Sequence, residues 1–296
     1  MYDYIIGFLK SRNIKFKRDF PLKYLSTVRI GGTAGLYITP TDLDEMISLI
    51  SFLKSIRFPF IIAGKLSNTL LVSDYYDCVI STRELRRIHL KGNQITAEGG
   101  LSLAELMSFA ASNNLGGFEP LWLIPGSIGA SVSGNSGAHG VEVSDALVSC
   151  TVFNLDDERV ICLDRGDISM SYRHSSLKDG NNVLLSATFR FFDKARIDII
   201  ADFRRYRGIR YDSQPHGFSL GSVFKRFNGI SAGYYVDRAG LKGYSIGDAY
   251  ISPKHAGFIL NKGNASAGDY LGLIQLAKTK VKEKFNVDLT EEINLV

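Results

Sequence analysis

The chain has 296 residues, 45% of them hydrophobic and 22% charged, with a formal net charge of +5. That balance gives ample core for two or three domains and excludes a disordered or fibrous chain. No run approaches the roughly 18 apolar residues of a membrane span, and the apolar patch Tyr4–Leu9 follows Asp3 without a small-residue cleavage site, so neither an anchor nor a signal peptide is expected and the cytoplasm is the expected compartment.

In chain order, Tyr37-Ile38-Thr39 reads as the end of a strand stopped by Pro40. Apolar residues at Leu43, Met46, Ile47, Leu49, Ile50 and Leu53 predict a helix over 42–56. The run 60–63 reads as a buried strand turning at Gly64, and 70–72 and 78–80 as the next strands. Ser102 followed three residues later by Glu105 has capping-box spacing, which starts a helix over 102–113. Segments 148–155 and 183–192 alternate like antiparallel strands. A long amphipathic helix is predicted over 267–285, with Leu271, Ile274, Leu276, Ala277 and Val281 on its apolar side, and a strand over 289–296 closes the chain. The pattern is mixed α+β, without a strict βαβ repeat. A domain boundary is expected near 193–210.

The most telling stretch is 125–140, where Gly126, Gly129, Gly134, Gly137 and Gly140 are mixed with small polar residues and no charge. Such a segment packs a core poorly and brings backbone N–H groups close to a ligand, phosphate being their usual partner. A glycine-rich surface loop is the plainer alternative. There is no GxGxxG after a strand and no GxxxxGK[ST]. Five histidines lack ligand spacing, and Cys78, Cys150 and Cys162 are odd in number without CxxC, so no metal and no disulfide framework is expected; the cysteines read as buried or incidental thiols. The basic clusters 10–18 and 204–211 suit a solvated face or an anionic small molecule better than nucleic acid, since no recognition fold accompanies them.

Four further pieces matter. Ala63-Gly-Lys-Leu-Ser-Asn-Thr-Leu-Leu71 reads as strand-turn-strand. The glycine stretch is second. Ser171-Tyr-Arg-His-Ser175 sets Arg173 beside Tyr172. Gly221-Ser-Val-Phe-Lys-Arg226 sets a serine before two cations. Read in order with Thr27-Val-Arg-Ile-Gly-Gly32, Ala239-Gly-Leu-Lys-Gly-Tyr244, His255-Ala256, Asn261-Lys-Gly-Asn264 and Glu291-Glu292-Ile293, they resemble the UDP-N-acetylenolpyruvoylglucosamine reductase (UDP-N-acetylmuramate dehydrogenase) family from about Thr27 to Val296. The short span between Arg173 and Val183 is similar to the subclass that lacks an extra substrate-covering tyrosine loop. Departures are Lys65-Leu66 in a flavin loop that is usually G-x-G-S-N, His139 for a tyrosine, Arg226 for an asparagine, and Gly257 in His255-Ala-Gly for H-A-N.

The resemblance implies an α+β fold with a two-part FAD-binding region of the vanillyl-alcohol-oxidase-like type and a C-terminal α+β substrate domain. The segments are 1–82, which the strand 289–296 joins, then 83–200 and 201–296. It implies non-covalent FAD held by Gly64, Ser67, Asn68, Thr69, Pro125, Gly126, Ser127, Ile128, Gly129, Ser131, Asn135 and Gly137. NADPH is the implied co-substrate and a UDP-sugar the implied substrate, for a monomer of peptidoglycan synthesis serving cell shape and division. Hydride passes from flavin N5 to the substrate methylene. Ser222 is the implied proton donor, Arg173 the cation for the developing charge, and Glu292 the acid beside the enol carboxylate; Tyr172, Lys225 and Arg226 hold carboxylate and diphosphate. The alternatives are an FAD oxidase of the same broad fold, with His139 as covalent tether, and a basic nucleic-acid-binding module using Arg204–Arg210.

Overall fold

The computed structural model describes residues 1–179 and 181–296. They divide into two units: Met1–Asp19, Gly35–Lys65 and Asp77–Arg207 form the first, and Phe20–Ala34, Leu66–Tyr76 and Gly208–Val296 the second. The sequence reading expects segments 1–82, joined by the strand 289–296, then 83–200 and 201–296. The core explains the difference, because Val28, Ile30 and Leu70 are buried in the same hydrophobic cluster as Leu220 through Ile293. Burying such side chains stabilises by roughly 1.5–3 kcal/mol each, so they hold their segments in the C-terminal unit.

Two sheets lie mainly in the first unit. One has the order Lys15–Pro21, Thr33–Thr39, Tyr75–Ser81, Ile61–Ala63, the last two parallel. The helix Leu43–Ser55 buries Met46, Leu49, Ile50 and Leu53 and starts at Asp42, whose carboxylate accepts the Glu45 N–H at 2.8 Å. The second sheet is antiparallel in the order Arg159–Asp164, Leu147–Asn154, Asn182–Arg190, Gln94–Glu98, Ile88–Lys91. Its period-2 alternation buries Cys150 and Val152 with Ala187 and Phe189. The helix Leu103–Ser112 begins at the capping box of Ser102 and Glu105.

In the second unit the sheet order is Phe218–Ser222, Phe258–Asn261, Ala249–Ile251, Ser245–Ile246. The helices Ala232–Arg238 and Ala267–Phe285 accompany it, the latter capped by Ser266 and Asp269. The closing segment forms a shorter strand than expected: Asn294–Leu295 pairs in parallel with Thr69–Leu70. The expected boundary region 193–210 is largely the helix Arg196–Ser213, which buries Ile199 and Phe203. No helix among the described residues is long and apolar enough to cross a membrane.

Candidate active site

The glycine stretch is not an open loop. Ile128–Ser133 is a short helix, and Ile128 and Val132 are fully buried in the first unit's core. The expectation that this segment packs poorly is corrected: two apolar side chains at helical spacing are enough to anchor it. Most of its backbone donors are used inside the chain. Ile128 N–H donates to Leu101 O at 2.7 Å, Gly129 N–H to Gly99 O at 2.8 Å and Gly126 N–H to Ile124 O at 2.8 Å. The glycines serve close approach instead. A Cβ at Gly129 would stand 3.2 Å from Gly99 O, one at Gly126 2.8 Å from Ser131 Oγ, and one at Gly64 2.7 Å from Ser127 Oγ. Ser131 Oγ is buried with no partner among the described residues. A buried hydroxyl left without a partner costs roughly 1–3 kcal/mol, so this one suits a ligand oxygen. Pro125, also expected at the cofactor, is exposed.

Asn135 is the organiser of this region. Its amide donates to Glu142 Oε2 at 2.7 Å and to Ser171 O at 3.0 Å, and Oδ1 accepts Ser144 N–H at 3.0 Å. Both side-chain donors are therefore engaged within the protein, and they fix the backbone around Asn135. One neighbour is the turn bearing Tyr172 and Arg173. Arg173 donates from Nη2 to Gly137 O at 2.7 Å, and its guanidinium lies 5.0 Å from the centre of the exposed Tyr172 ring. A Cβ at Gly137 would press 3.2 Å from that guanidinium. The nearby His139 is exposed and packs against the Tyr206 ring, centroids 5.1 Å apart.

The second unit brings together Ser222, Lys225, Asn68 and Glu292. Glu292 N–H donates to Val223 O at 2.8 Å, and Lys225 N–H to Thr290 O at 2.8 Å, so 222–225 and 290–292 run side by side. The Asn68 amide donates to Glu292 O at 3.1 Å, and Asn294 N–H to Asn68 O at 2.9 Å. Asn68, expected as a flavin contact, thus also fixes the backbone of Glu292. Thr69 pairs with Asn294, and Ser67 is half-buried beside Asn68. Ser222 Oγ has one long hydrogen bond, 3.4 Å to Phe224 O. The charged ends of Lys225 and Arg226 have no ion pair or hydrogen bond among the described residues, which leaves two cations for an anionic ligand.

Arg83 and Lys65, without an assigned role in the sequence reading, meet at the turn after Ile61–Ala63. Arg83 donates to Gly64 O at 3.2 Å and to Lys65 O at 3.0 Å, holding the turn after Ile61–Ala63. Burial keeps the Lys65 ammonium below its ordinary pKa against the pull of Glu105, with Arg83 and Arg86 pushing the same way as burial. Glu105 is already engaged by Ser102 and Arg86. Lys65 and Leu66 stand where the loop departs from its usual glycine pattern, and Leu66 adopts φ +50°, the left-handed conformation a glycine takes without strain.

Known proteins resemble this chain over nearly its whole length. The family described as FAD binding domain matches residues 34–163, and the one described as UDP-N-acetylenolpyruvoylglucosamine reductase, C-terminal domain, matches 214–296. The enzyme called UDP-N-acetylenolpyruvoylglucosamine reductase in Lactobacillus acidophilus is 36% identical over 97% of both chains. Its counterpart of the same name in Caldicellulosiruptor saccharolyticus is 38% identical over 97% of this chain and 94% of that one. The crystal structure of UDP-N-acetylenolpyruvylglucosamine reductase from Thermus caldophilus superposes with a TM-score of 0.80 at 28% identity, covering 95% of this chain and 98% of that one.

Proposed function

The chain belongs to the UDP-N-acetylenolpyruvoylglucosamine reductase family, and on that basis we propose that it reduces the enolpyruvyl ether of UDP-N-acetylglucosamine to the muramate in peptidoglycan precursor synthesis, with NADPH as reductant. FAD, when bound, supplies the hydride chemistry linking NADPH to the substrate alkene. Gly64, Gly126, Ser127, Ile128, Gly129 and Ser131 would hold it, and the resemblance implies the same of Ser67, Asn68 and Thr69. The unpartnered Ser131 hydroxyl supports that fit, as do Gly64 and Gly126, whose missing Cβ lets the backbone approach the Ser127 and Ser131 hydroxyls closely. Asn135 and Gly137 place the segment that follows.

Each site residue answers a demand of the reaction. Hydride addition at the methylene carbon puts charge on the neighbouring carbon, next to a carboxylate. Arg173 offers a permanent cation whose orientation Gly137 O sets. Removing one such stabilising donor costs about 10²–10³ in rate. Ser222 gives its proton to that carbon; the carbanion-like centre is basic enough to take it from a hydroxyl. Glu292 lies against the enol carboxylate, and Tyr172, Lys225 and Arg226 hold the carboxylate and diphosphate. The observation that carries the reading is the pairing of 222–225 with 290–292, which sets Ser222 and Glu292 on adjoining backbone held by the Val223–Glu292 bond of 2.8 Å. The same reading makes the chain a cytoplasmic monomer of cell-wall synthesis, serving cell shape and division.

The test is Ser222→Ala. NADPH still bleaches the flavin at the normal rate, while reoxidation by the enolpyruvyl substrate is lost. Normal rates in both half-reactions would remove Ser222 from the mechanism.

A further inference from the structure

Ser222 carries a hydroxyl that its own hydrogen bonding scarcely fixes, since the single bond to Phe224 O is 3.4 Å long. Its place must come from the backbone around it. Val223 N–H donates to Gly257 O at 2.9 Å, and Gly257 N–H donates to His255 Nδ1 at 3.1 Å. Gly257 is thus tied on one side to the residue after the serine and on the other to an imidazole. The space a Gly257 Cβ would fill lies 3.5 Å from Ser222 Oγ and 2.9 Å from His255 Cε1. The imidazole and the hydroxyl thus both flank Gly257, with no room for a side chain there.

The imidazole is itself held. The Ser252 hydroxyl accepts the backbone N–H of His255 at 3.2 Å, fixing the main chain that bears the ring, and the ring meets Phe258 edge-on with centroids 5.0 Å apart. Phe258 is the cross-strand partner of Ser222. On the other side Gly233, in the helix Ala232–Arg238, comes so close that a Cβ there would stand 2.9 Å from Cε1. Because Nδ1 accepts a backbone N–H, the neutral ring carries its proton on Nε2. Burial, with Lys242 adding to it, holds the imidazole below its ordinary pKa and keeps the Nδ1 lone pair available.

We propose that His255 is a positioning residue for Ser222: its Nδ1 lone pair holds Gly257, and Gly257 holds the backbone that aims the serine hydroxyl. This rests on the reading of Ser222 as proton donor. The required chemistry is an acceptor at the Nδ1 position and nothing more, which separates the proposal from proton transfer through Nε2.

The experiment compares His255→Asn, His255→Gln and His255→Leu with Ser222→Ala as FAD holoenzymes, timing flavin bleaching by NADPH and anaerobic reoxidation by the enolpyruvyl substrate. Asparagine sets Oδ1 where Nδ1 was; glutamine reaches the Nε2 position and leaves Gly257 without its acceptor. Misplacing a reacting group by about an ångström costs up to ~100-fold. Expected is a fall of roughly 10- to 100-fold in reoxidation for the Gln and Leu variants, with bleaching and substrate KM unchanged and the Asn variant close to wild type. Normal reoxidation in the Gln and Leu variants overturns the proposal. So does rescue by Gln and not Asn, which would mean a direct Nε2 contact, or equal losses in both half-reactions, which would mean a general structural role. If Ser222→Ala itself reoxidises normally, it is the proton-donor reading that fails; a slow Ser222→Ala beside normal His255 variants removes only the role of His255.

Discussion

Asn135→Ala perturbs the hub that joins the glycine stretch to the turn bearing Arg173. The residue is 1% exposed and loses three hydrogen bonds: to Glu142 Oε2 at 2.7 Å, to Ser171 O at 3.0 Å, and from Ser144 N–H at 3.0 Å. The charged bond is worth about 2 kcal/mol and each neutral one about 1 kcal/mol. Its φ of +42° is left-handed, a conformation asparagine tolerates through local hydrogen bonding and alanine resists. With partial relaxation the loss comes to ~3–5 kcal/mol. Urea unfolding of the FAD-free protein, followed by circular dichroism, measures it. Asn135→Asp is the companion: it replaces two donors by acceptors facing Glu142 Oε2 and Ser171 O, and falls at least as far. A loss below ~1 kcal/mol in both variants refutes the assignment of Asn135 as a buried hub.

Three other expectations follow from the same geometry. Arg83→Met removes both bonds that hold the Gly64 and Lys65 carbonyls, and equilibrium dialysis should find FAD binding weaker by about tenfold, one guanidinium bond's worth; unchanged affinity would mean the loop keeps its shape without Arg83. Gly137→Ala drives a Cβ to 2.8 Å from Val141 O and 3.2 Å from the Arg173 guanidinium, so steady-state assays should show impaired turnover of the enolpyruvyl substrate while NADPH bleaching stays normal. Burial raises the Cys78 thiol to about 12 and the Cys150 thiol to about 11. Their thiolate fraction at pH 8 is therefore below about one in a thousand, and it grows only as pH rises. A disulfide reagent at pH 8 should label the exposed Cys162 alone in the native protein and all three thiols after unfolding; rapid native labelling of Cys78 would contradict its burial.

Much of the fold is legible because local rules and tertiary packing agree. Asp42 and Ser102 cap their helices as their spacing predicts, and the alternating runs around Cys150 and Ala187 pair as antiparallel strands. Legibility fails where long-range packing decides. Nothing local in Val28, Ile30 or Leu70 announces that they belong to the C-terminal core. The short apolar spacing Ile128–Val132 is masked by surrounding glycines, yet burial makes it a helix. The helix Arg196–Ser213 has two buried apolar side chains, Ile199 and Phe203, too few for a periodic signal. At the proposed site, Gly221-Ser-Val-Phe-Lys225 and Glu291-Glu292 are legible as pieces of the family resemblance. The supporting contacts of Arg83, Asn68 and His255 run through backbone carbonyls and amides, which a sequence does not display.

The central claim is that electrons leave this protein through an enolpyruvyl UDP-sugar. The direct measurement is to bleach the purified yellow holoenzyme with NADPH under strict anaerobiosis, add UDP-N-acetylglucosamine enolpyruvate, and follow the visible flavin absorbance. The account predicts full recovery of the oxidised spectrum with one muramate product formed per flavin. A flavin that stays bleached after the enolpyruvyl substrate is added would contradict it.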